Sequence, residues 1–151
     1  MKKFKFSLES VLKYRTFLEK EARQALLSIN LDISECEENI ESIKYKRVLL
    51  YKELEEETDK GITIEYFNMY QNYISSVDQR LENEKTRLLE LFREKDSRTR
   101  KLIEARKQKE ALEKLKSRKK KQYMEKMFYE EQKELDEISS VKKAREICNE
   151  A

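Results

Sequence analysis

The sequence predicts an all-α protein in which two long helices form an antiparallel coiled-coil hairpin, the second helix longer and overhanging the first. The chain of 151 residues contains no proline and one glycine. Because these residues mark most turns, their scarcity favours long elements joined by few turns. Charged residues make up 43% of the chain, a proportion that is also typical of disordered proteins. The apolar residues, however, repeat every 3.5 residues on both sides of the glycine, which is typical of coiled coils.

The first helix is predicted from about residue 7 to about residue 57, and Ser7 can cap its start. Alternating steps of four and three residues mark a seam in which eleven of fourteen positions are apolar. A repeat of 3.5 residues indicates a left-handed coiled-coil seam. This seam comprises Leu8, Leu12, Arg15, Glu19, Ala22, Leu26, Ile29, Ile33, Cys36, Ile40, Ile43, Arg47, Leu50 and Leu54.

A turn is predicted at about residues 58–62. Gly61 adopts positive φ at little cost, so it is well placed to end the first helix. Thr63 can cap the second helix, and the helix dipole favours Glu65 in its first turn. Because the turn between the two long helices is short, the helices are expected to run antiparallel.

The second helix is predicted from about residue 63 to about residue 142. Eleven of its seventeen seam positions are apolar, and the exceptions concentrate toward the C-terminus. The seam comprises Phe67, Tyr70, Ile74, Val77, Leu81, Glu84, Leu88, Leu91, Lys95, Arg98, Leu102, Ala105, Lys109, Leu112, Lys116, Lys119 and Tyr123. The register then shifts by one residue, which marks a local unwinding or a break. The weaker stripe beyond it comprises Met124, Phe128, Leu135 and Ile138.

The two helices differ in length, at about 75 Å and about 115 Å for a rise of about 1.5 Å per residue. Residues 63–112 can therefore lie beside the first helix, and the remainder is expected to lack an intramolecular partner. The tail, residues 143–151, is expected to be frayed. We predict one coiled-coil domain over residues 1–151. A two-stranded seam is also expected to leave no concavity of ligand size.

Charge is distributed unevenly along the chain. Residues 101–126 carry 11 Lys/Arg and 4 Asp/Glu, whereas residues 127–151 carry 4 and 7. The basic block culminates in Lys114, Lys116, Arg118, Lys119, Lys120 and Lys121. A solvated helix face, a surface for an acidic protein and a phosphate-binding surface all remain open interpretations of this block. No aromatic interleaving or recognisable nucleic-acid fold supports the last, so nucleic acid is the least favoured partner.

Several residue types needed for chemistry are missing. The chain has no histidine, which removes the commonest general base and metal ligand. A phosphate-binding loop needs several glycines, and this chain has one. Cys36 lies on the seam and is expected in the core, and the spacing to Cys148 matches no metal or redox motif. We therefore expect no enzyme, no cofactor, no metal and no small-molecule substrate. No apolar run or hydrophobic signal core is present, so a cytoplasmic location is expected.

Five short motifs resemble, in order, those of the flagellar export protein family FliJ. They are Phe4-x-Phe6-x-Leu8-Glu9-x-Val11-Leu12-x-x-Arg15, Glu19-x-Glu21-Ala22, Tyr70-Gln71-x-Tyr73-Ile74, Lys109-Glu110-x-Leu112-Glu113-Lys114-Leu115 and Glu134-Leu135-Asp136-Glu137. Each motif alone is weak, because charged coiled coils look alike, but together they cover nearly the whole chain. The resemblance implies an antiparallel two-helix coiled coil in the flagellar type III export apparatus.

The resemblance also implies partners. Proteins of this family resemble the central stalk of rotary ATPases, insert into the ring of the export ATPase, contact the membrane protein of the export gate and help to hand over export chaperones with their substrates. A cytoplasmic protein associated peripherally with the inner membrane at the flagellar base is therefore expected.

Two sets of contact residues follow from the same resemblance. The ATPase set is expected to comprise Phe4, Phe6, Leu8, Leu12, Arg15, Lys109, Lys114, Lys116, Arg118, Lys119, Lys120 and Lys121. The export-gate set is expected to comprise Tyr73, Val77, Arg80 and Glu84. In the seam register, Val77 is equally interpretable as hairpin core. A generic scaffold coiled coil, or a basic coiled coil that binds nucleic acid, stays open as an alternative function.

Overall fold

Two helices make up nearly all of the chain in a computed structural model that describes residues 2–150. Helix α1 spans Glu9–Lys60 and helix α2 spans Ile64–Glu150. The two helices pack as a helical hairpin, which confirms the predicted fold class. The second helix is the longer, with 87 residues against 52.

The turn between the helices has the predicted chemistry. Gly61 has a φ of 85° and donates its amide hydrogen to the carbonyl oxygen of Thr58 at 3.1 Å. Left-handed backbone of this kind is easily reached only by glycine. The Thr63 hydroxyl accepts a hydrogen bond from the Tyr66 amide at 3.2 Å, which confirms the N-cap of α2.

The helix bounds differ from the expected ones at three places. Helix α1 begins at Glu9 rather than near residue 7, and the segment 2–8 before it is irregular and ends in a turn. It ends at Lys60, one residue before the glycine. Helix α2 continues through the register shift after Tyr123 without a break and remains helical to Glu150. Residues 1 and 151, which the expected domain and tail include, lie outside the described residues.

The chain divides into two compact units. The central unit comprises Lys20–Glu104, and the terminal unit comprises Met1–Glu19 with Ala105–Ala151. The prediction of one domain over residues 1–151 stays a prediction.

The core of the central unit follows the predicted seam. Its main cluster comprises Cys36, Ile40, Ile43, Val77 and Leu81, with Leu50, Leu88 and Leu91 packed against it. Every seam position of α1 in this unit is buried or half-buried. The 3.5-residue period thus identifies the face of α1 that contacts α2.

Polar contacts in the central unit show that the helices run antiparallel. Arg98 Nη1 donates to the carbonyl oxygen of Ala25 at 2.7 Å, and Tyr70 donates from its hydroxyl to Glu53 Oε1 at 3.1 Å. Residue numbers therefore fall on α2 as they rise on α1. Arg98 is a charged seam residue that remains half-buried because its guanidinium reaches a backbone acceptor.

Side chains in the terminal unit become exposed toward the C-terminus. Met127 is the last half-buried residue, and all side chains from residue 128 to residue 150 are exposed. The stripe of Met124, Phe128, Leu135 and Ile138 is also exposed, as expected for a segment without an intramolecular partner. The expectation that every residue beyond about 112 lacks such a partner is wrong, because Lys116 contacts Glu9 and Tyr123 contacts Phe4. Neither helix, as far as the structure describes the chain, has an apolar stretch long enough to span a membrane.

Candidate partner-binding site

The terminal unit brings together the two segments of the expected ATPase set. The irregular segment 2–8 lies against α2, with the Phe4 ring centroid 5.6 Å from that of Tyr123. Such a tilted aromatic contact stabilises the packing beyond the area that it buries. Phe6 accepts a hydrogen bond from the Glu9 amide at 3.2 Å, which ties the segment to the start of α1.

Two lysines of the expected set have structural ion-pair partners. Lys116 Nζ lies 2.9 Å from Glu9 Oε2. Lys109 Nζ lies 3.9 Å from Glu19 Oε2 and 3.8 Å from Glu113 Oε1. The contacts with Glu9 and Glu19 join α1 to α2, whereas the contact with Glu113 lies within α2. Lys109 and Lys116 therefore help to hold the unit together.

Glu19 is a charged residue in the seam and is only 3% exposed. Arg106 Nε lies 4.0 Å from its Oε1 atom, whereas Lys109 approaches its Oε2 atom. A buried carboxylate is strongly destabilising without such partners. The seam pattern placed Glu19 at the interface, but it did not predict Arg106 as a partner. The opposite charges at antiparallel seam positions 19 and 109 are the signal that could have predicted the Lys109 contact.

Five other cations of the expected set face solvent. None of them has an ion pair among the residues that the structure describes. They are Lys114, Arg118, Lys119, Lys120 and Lys121.

The N-terminal members of the set are less accessible. Phe4, Phe6 and Leu8 are half-buried or marginally exposed, whereas Leu12 is buried in the seam. Arg15 is half-buried, with its guanidinium carbon 6.0 Å from the Tyr14 ring centroid. The surface available to a partner is therefore mainly the cationic side of α2.

The expectation of no ligand-sized concavity is wrong for the terminal unit. An open groove with a volume of about 960 Å³ lies between the N-terminal segment and α2. It arises because the segment 2–8 is not helical and forms a separate wall, which a two-helix seam does not have. The lining includes Lys3, Phe4, Lys119, Tyr123 and Lys126.

The expected gate set lies in the central unit, and its members differ in accessibility. Tyr73 and Arg80 are exposed. Val77 is only 3% exposed and packs in the core cluster, so the core interpretation of this residue is the one that the structure supports. Glu84 is half-buried and accepts a hydrogen bond from the Cys36 thiol at 3.5 Å.

Two central-unit side chains have shifted pKa values. Burial and the hydrogen bond to Glu84 raise the pKa of the Cys36 thiol, which keeps it protonated. Partial desolvation and the hydrogen bond to Glu53 raise the pKa of Tyr70 to about 12. Tyr70 also contacts Tyr66, with ring centroids 5.4 Å apart in an edge-on arrangement. Both shifts are consistent with structural contacts that favour the neutral side chain.

The fold and these surfaces define a helical-hairpin protein whose exposed cations and aromatic side chains suit contact with other macromolecules. The family model described as Flagellar FliJ protein matches residues 4–146, and the chain therefore belongs to the FliJ family. This confirms the resemblance and makes the protein a flagellar export component.

Other comparisons add little to this assignment. The search of curated proteins found no match. Among solved structures, one described as a putative YscO homolog CT670 from Chlamydia trachomatis is 22% identical, covers 92% of this chain and 94% of its own, and has a TM-score of 0.43. The assignment to the FliJ family rests on the family model alone.

Proposed function

We propose that this protein is a non-enzymatic, stalk-like component of the flagellar export apparatus that binds the export ATPase ring through its terminal unit. Contact with the export gate and escort of export chaperones complete the proposed role. The protein acts in the cytoplasm, at the inner-membrane face of the flagellar base. The observation that supports the proposal is the direct contact between segments 2–19 and 105–126, which contain the residues expected from the resemblance to bind the ATPase.

The cations of the terminal unit fall into two groups, which supports this role. Lys109 and Lys116 join the helices, so their loss is expected to weaken the unit itself. Arg118, Lys119 and Lys120 are exposed and carry no such task. Exposed charges at the rim of an interface mainly raise the association rate and the salt dependence of binding. The exposed group therefore supplies the positive surface that an acidic patch on the ring would meet.

The export-gate contact is proposed to use Tyr73 and Arg80. Tyrosine and arginine are the side chains most often found at energetic hot spots of interfaces. Val77 and Glu84 lie behind them in the packed seam and position this stretch of α2. The absence of histidine from the sequence supports the proposal that the protein acts by binding rather than by catalysis.

Co-purification with the export ATPase of the same organism, with ATP hydrolysis followed alongside, tests the main proposal. We expect stable binding together with ring assembly or faster hydrolysis. The triple substitution Arg118→Glu, Lys119→Glu and Lys120→Glu should weaken binding by about tenfold or more at moderate salt, since each exposed pair contributes about 0.2–1 kcal/mol.

A matched control carries the same change of charge elsewhere. Arg93, Arg100 and Lys101 are exposed residues of α2 in the central unit, and their replacement by Glu should leave ATPase binding within about twofold. Equal loss in both variants would show that net charge alone matters. Absence of binding by the unmodified chain would contradict the proposal, and salt-sensitive binding to duplex DNA in that case would favour the nucleic-acid alternative.

A further inference from the structure

The groove of the terminal unit continues into a second one of opposite charge. The first, about 960 Å³ in volume, is rimmed by Lys2, Lys3, Lys5, Lys119 and Lys126. The second, about 500 Å³, is lined at its far end by Glu130, Glu131 and Glu134. Lys2, Tyr123 and Lys126 line both grooves, so the two form one continuous surface. We call this surface the bipolar groove.

The lining of the bipolar groove includes apolar side chains. Phe4, Phe6 and Tyr123 line the first part together with the lysines, and Met127 lines the second together with the glutamates. Docking sites commonly combine an apolar floor, which holds an anchor side chain, with a polar rim that sets orientation.

The Tyr123 hydroxyl provides an independent indication of a ligand. Its oxygen is buried, and it has no hydrogen-bond partner among the residues that the structure describes. Buried hydroxyl groups are nearly always hydrogen-bonded, and a bound segment could bring an acceptor to the junction of the two parts. A peptide carbonyl or carboxylate that accepts this hydroxyl hydrogen would supply it.

We propose that the bipolar groove binds a segment of a protein partner in which acidic residues and basic residues flank an apolar anchor. The acidic residues of the segment pair with the lysines, and its basic residues pair with Glu130, Glu131 and Glu134. The apolar anchor lies over Phe4 and Tyr123. The charges of the groove favour this occupant over nucleic acid or an anionic lipid surface, because the three glutamates repel phosphate groups.

The helix geometry gives the spacing that the partner needs. At about 1.5 Å per residue, Lys119 and Lys126 lie roughly 10 Å apart along α2, and Lys126 and Glu134 lie roughly 12 Å apart. An extended segment advances about 3.3 Å per residue. Its acidic and basic groups should therefore be separated by about three to five residues, which a short synthetic peptide can reproduce.

Fluorescence anisotropy of labelled peptides, titrated with the full chain, tests the proposal. One peptide carries Glu-Glu-Glu, then Leu-Phe, then Lys-Lys-Lys. Two comparison peptides replace either charged half by serine. We expect the bipolar peptide to bind about tenfold more tightly than either comparison, because both halves contribute ion pairs. Equal binding of all three peptides would overturn the proposal, as would tighter binding of a single-stranded oligonucleotide or of phosphatidylglycerol vesicles.

Matched variants locate the site. Lys126→Glu should weaken binding of the bipolar peptide about fivefold, whereas Lys121→Glu, on the same helix but outside the groove, should change it less than twofold. Tyr123→Phe keeps the ring and should weaken binding about threefold to tenfold. Circular dichroism confirms that each variant keeps its helicity. Identical affinities of the Lys126 and Lys121 variants would overturn the placement.

The acidic half has its own control. Glu130→Lys with Glu134→Lys should abolish the preference for the bipolar peptide over the acidic one, whereas Asp136→Lys with Glu137→Lys should keep it. This inference does not rest on the ATPase proposal, since the probe is a free peptide. A chain that binds the peptide but not the ATPase contradicts only the proposed function, and the reverse result contradicts only the bipolar groove.

Discussion

Replacing Ile33 and Ile40 by aspartate should separate the helices of the central unit. Both side chains are 6% exposed. Full burial of an isoleucine contributes about 1.5–3 kcal/mol relative to exposure. An aspartate at the same place must also be desolvated or take up a proton, which costs several kcal/mol more. The two positions lie about 10 Å apart along the helix, so their effects should add. The sum is at least about 6 kcal/mol, comparable with the whole stability of a typical domain.

Circular dichroism at a helix band, followed during heating and during urea titration, measures this loss. We expect the melting temperature of the double variant to fall by more than about 15 °C, or the cooperative transition to disappear. Leu31→Asp is the matched control, because Leu31 lies on the same helix and is 72% exposed. Its stability should change by less than about 0.5 kcal/mol. An unchanged melt of the double variant, or an equal loss in the control, would refute the assigned register.

Three other changes test local features of the chain. Cys148 is exposed and should react quickly with a chromogenic disulfide reagent, whereas Cys36, buried and with a raised thiol pKa, should react only on unfolding. Any fast-reacting thiol in folded Cys148→Ser would contradict this, because Cys36 is the one thiol left in that variant. The pKa of Tyr70 is raised to about 12. Its contribution to stability is therefore complete below pH about 10 and is lost as the pH rises toward 12. Ultraviolet titration should show a tyrosine that ionises late, and Tyr70→Phe should remove that signal. Gly61→Ala should lower the free energy of unfolding, measured by urea titration, by about 1–2 kcal/mol. The loss comes from backbone strain alone, because an added Cβ meets no atom within 4 Å. Gly61→Asn should lower the free energy of unfolding by less.

The sequence predicted the interface of the two helices well because periodicity alone determines it. Ile29, Ile33 and Cys36 are buried where the 3.5-residue repeat places them. Even Glu19, whose residue type argues against burial, lies in the seam. The turn was equally predictable, since Gly61 is the single glycine in the chain and Thr63 follows it at capping distance.

The candidate site was less predictable because it depends on contacts between distant residues. The contact of Phe4 with Tyr123 requires an irregular N-terminal segment that lies against α2, which the apolar repeat does not predict. The interhelical partners of Lys109 and Lys116 depend on how the side chains of two antiparallel helices meet, which periodicity does not define. The division of the cations into paired and exposed groups followed only from the structure.

The antiparallel pairing also implies an order of assembly. The contact between Tyr70 and Glu53 joins residues 17 positions apart, that between Cys36 and Glu84 residues 48 apart, and that between Arg98 and Ala25 residues 73 apart. The entropic cost of closing the loop rises with the separation of the two residues in sequence. Pairing of the helices is therefore favoured to start beside Gly61 and to proceed away from the turn. The contact of Phe4 with Tyr123 then forms last. The ribosome must therefore have released residues 119–134 before the bipolar groove can exist, whereas the central unit can begin to pair earlier.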